Sequence, residues 1–137
     1  MSRTTRLTAY SLLVGSGLFA QDVANDIVDS AEGQKYSASA YQAGRSEAIK
    51  DVKDNRLVIE VSGLPAPWSG QYAKLLADKY HVQLKTVAGC IVDSRIVGHE
   101  RGYNEISIAE IERRFGRGFL AKTAGDVQKK WEQVHKN

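Results

Sequence analysis

Apolar positions follow two periods along this chain, and the switches between them mark its elements. Leu57, Ile59 and Val61 alternate with Val58 and Glu60, the period of two expected of a strand with one well-buried face. Gly63-Leu-Pro-Ala-Pro-Trp-Ser-Gly70 follows as a turn. Pro65 and Pro67 bias the residues before them toward extended backbone, so a helix cannot start before about Pro67, and Ser69 offers a capping hydroxyl. Tyr72, Leu75, Leu76 and Tyr80 then take the spacing of a core-facing helix that closes at His81. Alternation resumes at Val82, Leu84 and Thr86 and continues, extended and apolar, through Val92, with Gly89 as the expected bulge or close approach. Strand, helix and strand make a βαβ unit, most simply parallel with a right-handed crossover.

The flanking segments predict its cover. Tyr41, Ala48, Ile49 and Val52 form a one-sided stripe that predicts a helix over Tyr36 to Asp54, ended by Asn55. Ala40, Gly44 and Ala48 form a small-residue row that lets a sheet or a second helix come close. Arg45, Glu47, Lys50, Asp51 and Lys53 fall largely on the wet side. Upstream, residues 21–35 form a polar lead-in. Val23, Ile27 and Val28 stand there at helical spacing and Gly33 marks a break, which leaves a short helix or a mobile segment open. After Val92 two readings stay open: a short helical turn capped by Asp93 or Ser94 and ending at Gly102, or a third strand over Arg95 to His99. Tyr103-Asn104 reads as a turn. Ser107-Ile-Ala-Glu110 has the form of a capping box with Ile106 and Ile111 as its staple, so a helix is predicted from Ile108 to Gly116. Val127, Trp131 and Val134 predict a last helix over Lys122 to Lys136. The expected fold is one small α/β (or α+β) domain over residues 36–137, with two or three strands covered by three to four helices.

The first twenty residues bear on location. Met1 to Arg6 is short and basic, Leu7 to Ala20 is uncharged and fairly apolar, and Gln21-Asp22 opens a polar stretch. That is the plan of a secretory signal with Ala20 as the last residue removed, and it predicts export to the periplasm or beyond. The alternatives are a structural helix of a cytoplasmic protein or an uncleaved anchor, although the apolar run is short for a bilayer span. No stable membrane span is expected after cleavage. Composition is ordinary for a globular domain, 42% hydrophobic and 26% charged. The net charge of +3 includes Arg3 and Arg6; without them 17 basic residues face 16 acidic ones, too even for a nucleic-acid binder relying on phosphate neutralisation. A single cysteine excludes an internal disulfide and a multi-cysteine metal cluster.

Candidate chemistry is sparse. Cys90 would need a base from His81, His99 or His135, and inside an apolar strand a thiol reads as a packed, inert residue. The turn from Gly63 to Trp68 lies at the carboxyl end of the first strand, where open α/β sheets bind ligands, but it lacks the glycines and lysine of a phosphate loop. The basic cluster Arg113, Arg114 and Arg117 suits a helix C-terminus, and Glu100, Glu105 and Glu110 suggest no metal or acid–base set.

Gly63-Leu-Pro-Ala-Pro-Trp68, Tyr72 with Leu75, Leu76 and Tyr80, Val87-Ala-Gly-Cys90, Gly102-Tyr-Asn104 and Arg113-Arg-Phe-Gly116 together resemble a family of small bacterial proteins of unknown activity. The resemblance spans about Tyr41 to Gly116 and implies no catalytic residue or cofactor. The expected role is a small, exported, non-catalytic binding protein of the bacterial envelope. Its partner would be a protein or a small molecule, and edge pairing could make it a homodimer. Pro65, Pro67, Trp68, Tyr103, Asn104 and Trp131 are the expected interaction surface, and no metal or cofactor site is expected. The alternatives are a small enzyme using the carboxyl end of the sheet near Cys90, and a cytoplasmic interaction protein. A deep pocket holding Cys90 beside a histidine would favour the enzyme. An apolar patch around Trp68 or Trp131 would favour the binder.

Overall fold

A computed structural model describes residues 26–31 and 33–136. The signal-like segment and Val23 lie outside the described residues. The end of the lead-in is neither a helix nor a mobile stretch: Ile27–Asp29 (β1) and Lys35–Ser37 (β2) form an antiparallel hairpin, with Gly33 at φ 76° in its turn. Helical spacing misled here because three apolar residues cannot separate a short strand from a short helix. Asp26 then ties the hairpin to the next element by accepting from the Ser39 hydroxyl at 2.7 Å and from the Ser39 N–H at 2.6 Å.

Ser37 caps the first helix, Ala38–Lys53 (α1), by accepting from the Ala40 N–H at 3.2 Å. Asn55 turns out of it in the left-handed region as expected, at φ 60°. The buried positions of α1 are Gly44 and Ala48 from the small-residue row, whereas Ile49 of the expected stripe faces solvent.

The βαβ unit stands as expected: Leu57–Ser62 (β3), Ser69–Tyr80 (α2) and Val82–Ala88 (β4), with β3 and β4 parallel from Leu57 opposite Val82. Three details differ. Trp68 rather than Ser69 takes the cap position of α2, with no side-chain cap bond. The register shifts between Val61 and Ser62 opposite Thr86 and Ala88, so the irregularity precedes Gly89. The second strand ends at Ala88, so residues 89–92 leave the sheet and Cys90 is exposed rather than packed.

The largest correction follows. Asp93 does cap a helix, accepting from the N–H groups of Arg95 and Ile96, both at 2.9 Å. That helix is neither a short turn nor a third strand; it runs unbroken from Ser94 to Phe115 (α3). Tyr103-Asn104 is therefore no turn, and Ser107 is no cap. The Ser107 hydroxyl donates instead to the Val58 carbonyl of β3. Gly116, at φ 102°, ends α3 as expected, and Phe119–Val134 (α4) completes the fold.

Gly98 and Gly102 fail to break α3 because α1 crosses it at backbone distance. A Cβ on Gly102 would collide with the Tyr41 carbonyl, one on Gly98 with the Ser37 carbonyl, and one on Gly44 with the His99 carbonyl. Glycine costs about 1 kcal/mol per helical position, and the close crossing recovers it in contact.

Among the described residues, four helices and two two-stranded sheets thus make a small α/β domain. Its core divides at the β3–β4 sheet. Leu57, Ile59 and Val82 pack with Leu76 of α2 and Ile111 of α3, joined by Tyr72, Leu84, Phe119 and Leu120. On the other side Val58 packs with Ala48 of α1 and Tyr103 of α3. The edge of β3 not paired with β4 is closed by side chains of α3. Asn104 accepts from the Glu60 N–H at 2.9 Å and donates to the Glu60 carbonyl at 2.7 Å, while Glu100 accepts from the Ser62 hydroxyl at 2.5 Å. With Ser107 these residues sit at offsets zero, four and seven of one helical stripe. Among the described residues, β4 has no strand on its outer edge.

Candidate functional site

The alternation of β3 sends Ile59 and Val61 to one face of the sheet and Glu60 to the other, and each face carries a candidate site. On the first, the stiff corner after β3 roofs a cleft of about 560 Å³ at the carboxyl ends of both strands. Ile59, Val61 and Leu84 floor it, and Pro65, Trp68, Tyr72 and Leu120 wall it. The Gly63 N–H donates to the Ala88 carbonyl at 3.1 Å, which anchors the corner across the strand ends. Trp68 meets Tyr72 edge-on at 6.0 Å, and the Tyr72 hydroxyl donates to the Leu120 carbonyl at 3.1 Å, fixing the aromatic wall. Burial pushes the Tyr72 phenol up, keeping it a neutral donor. A size of this order and a mainly apolar lining suit a small ligand or a few apolar side chains.

The expected interaction residues separate. Pro65 and Trp68 line this cleft; Pro67 is exposed beside them without lining it. Trp131 stacks on His135 at 4.2 Å and lines a second, smaller apolar cleft of about 320 Å³ with Leu75 and Val127. Tyr103 leaves the expected surface, because α3 buries it to 1% exposure. Asn104 gives both ends of its amide to the backbone of Glu60 and borders a polar cleft of about 590 Å³ with Glu100, Glu105 and Glu112. Cys90 lines none of these three clefts.

The other face gathers charges that the sequence left scattered. Glu60 of β3 is 1% exposed. One of its carboxylate oxygens accepts from Lys85 at 3.0 Å, its neighbour in the parallel register. The other lies 2.8 Å from Nδ1 of His99 on α3. Nε2 of the same imidazole lies 3.0 Å from Glu47 on α1, and Lys85 stands 3.7 Å from Glu47. The His99 ring stacks on Tyr103 at 6.1 Å, and the Tyr103 hydroxyl donates to Asp51 at 2.6 Å. Burial, then the Asp51 hydrogen bond, pushes the Tyr103 phenol well up. That bond, with help from Arg56, holds the Asp51 carboxyl below the usual range, and the Glu60 contact holds the Lys85 ammonium above its own. Sequence reading missed this set. In sequence Glu47 reads as part of a wet face, and His99 as part of a short helical turn or a third strand. The available signal was Glu60 itself, a charge on a strand position flanked by apolar neighbours on both faces.

The chain matches no family model, no curated protein and no solved structure. No helix of the described residues is long and apolar enough to cross a membrane.

Proposed function

We propose that this is a non-catalytic binding protein whose cleft at the carboxyl ends of β3 and β4 receives an apolar ligand or an apolar segment of a partner. The single observation that carries this reading is the apolar cleft walled by Pro65, Trp68 and Tyr72. A rigid corner and two aromatic rings hold a ready-made pocket, so little ordering entropy is lost on binding. The Trp131 cleft lies on the opposite flank of α2, with Gln71 and Leu75 on its wall. An enzyme built on Cys90 is disfavoured because that thiol lines none of the three clefts. The basic, apolar, then polar order of residues 1–22 supports export to the bacterial envelope.

The test is protein-observed NMR with a set of aliphatic and aromatic fragments. Hits should shift the Trp68 indole and the Leu84 and Leu120 methyls, and Trp68→Ala should abolish them. Fragments that bind nowhere in this cleft would overturn the reading. For export, N-terminal sequencing from the native host should start near Gln21; intact Met1 in the soluble cytoplasm would refute it.

A further inference from the structure

We infer that Glu47, Glu60 and His99 form a site for a divalent transition-metal ion. The site stands on the opposite face of the sheet from the apolar cleft and is independent of it. One ligand atom from each residue comes within 4.8 Å of the others, and each residue belongs to a different element: α1, β3 and α3. Two carboxylates and one imidazole form a mixed oxygen and nitrogen donor set. Such a set favours Mn²⁺, Fe²⁺, Co²⁺ or Zn²⁺ over Mg²⁺ or Ca²⁺, which prefer oxygen alone.

The burial is the telling part. Glu60 is 1% exposed, and the backbone around it is pinned by Asn104. A buried carboxylate is costly unless compensated, and here two cationic or proton-donating groups converge on it, Lys85 and His99. The two imidazole nitrogens of His99 each face a carboxylate, Nδ1 toward Glu60 and Nε2 toward Glu47. The Lys85 ammonium stands against both carboxylates, where a dication would balance them. A metal ion takes that place: a ring nitrogen coordinates it through its lone pair, and Lys85 swings away into solvent. Its side chain is 51% exposed and that of Glu47 is 46% exposed, so both can move without disturbing the core. Glu60 and His99 supply the fixed part of the site, and Glu47 closes over it.

The test uses untagged protein with MnCl₂ and ZnCl₂, and with MgCl₂ as control. Mn²⁺ should broaden amide resonances around 47, 60 and 99 first. Zn²⁺ should bind saturably at one equivalent by calorimetry and raise the melting temperature. Glu47→Gln, an exposed change, and His99→Gln should each weaken binding at least tenfold. Lys85→Met discriminates most sharply. If the ammonium competes with the metal, this variant binds Zn²⁺ at least tenfold tighter, and Zn²⁺ restores whatever stability it lost. If the four residues are only an ion-pair network, Lys85→Met is destabilised and Zn²⁺ gives no restoration. The proposal is overturned by that result, by broadening centred on other acidic residues, or by Glu47→Gln binding as tightly as the parent.

Discussion

The two faces of the β3–β4 sheet are held by opposite means. Toward α2, α4 and the last turns of α3 the sheet offers aliphatic side chains, and the contact is a matter of volume: Leu76 of α2 and Ile111 of α3 fill space between Leu57, Ile59 and Val82. Toward α1 and the earlier turns of α3 it offers Val58, Glu60 and Lys85, and contact is made by closeness and hydrogen bonding. Glycines bring α1 and α3 together, and polar side chains finish what the backbone leaves open. The apolar face leaves a cleft at its carboxyl end, while the polar face leaves a cluster of potential ligands. A parallel pair of strands buried on both sides usually reads as continuous aliphatic sequence. Here the single glutamate in Leu-Val-Ile-Glu-Val announces that one side works differently.

Substitutions can break this contrast, from the strongest expected effect to the weakest. On the volume-filled face, Leu76→Ala should cost about 3 kcal/mol in urea unfolding, since its side chain is fully buried. Gly102→Ala on the other face should cost roughly 2 kcal/mol although it adds one methyl, because the Tyr41 backbone carbonyl must move. Its control is Gly70→Ala, where a Cβ meets open space and no loss is expected. Asn104→Leu, close in volume, should cost about 2 kcal/mol by leaving the Glu60 N–H and carbonyl unpaired. If Asn104→Leu proves neutral, the polar face is held by volume after all, and the contrast fails.

The smallest effect is one of pH, away from both faces. Arg113 and then Arg114 hold the Glu110 carboxyl at about 2, below its ordinary 4.5. With the folded value the lower one, its contribution to stability is complete above pH 4.5 and is lost as pH falls from there toward 2. Carbon-detected NMR should find Glu110 titrating near 2 in the parent and at a more ordinary value in an Arg113→Ala, Arg114→Ala double variant. The pairs are at the surface, so salt should shrink the difference.

The βαβ unit was legible because its signals are local: alternation, two prolines, then helical spacing, with His81 closing α2 as read and doing so in the left-handed region. What failed was α3. Gly98, Gly102 and Asn104 argue locally for breaks, and Ser107 with Glu110 argues locally for a start. The preferences of those residues are met instead through space, by α1 and by the edge of β3. Only a partner far along the chain makes a glycine pair an advantage within a helix. Cys90 was misplaced for a related reason, since an apolar run stays a strand only while it has a neighbour to pair with, and β3 ends at Ser62. Half of the cleft was legible as the stiff corner Gly63 to Ser69. The ligand cluster was not, because Glu47, Glu60 and His99 stand on three elements whose contact depends on the unbroken α3.

The stripe Glu100, Asn104 and Ser107 also gives the sheet a direction. On one side a helix has taken over the bonding that another strand would have done, and that side is finished. On the other, where no strand among the described residues pairs with it, β4 still presents a strand's ordinary repeat. Whatever lengthens this sheet, whether a copy of the same chain or an extended peptide, can only arrive beside β4. Among the described residues this sheet is thus a two-stranded ribbon with a stopper at one margin and a template at the other, and its growth is one-sided by construction.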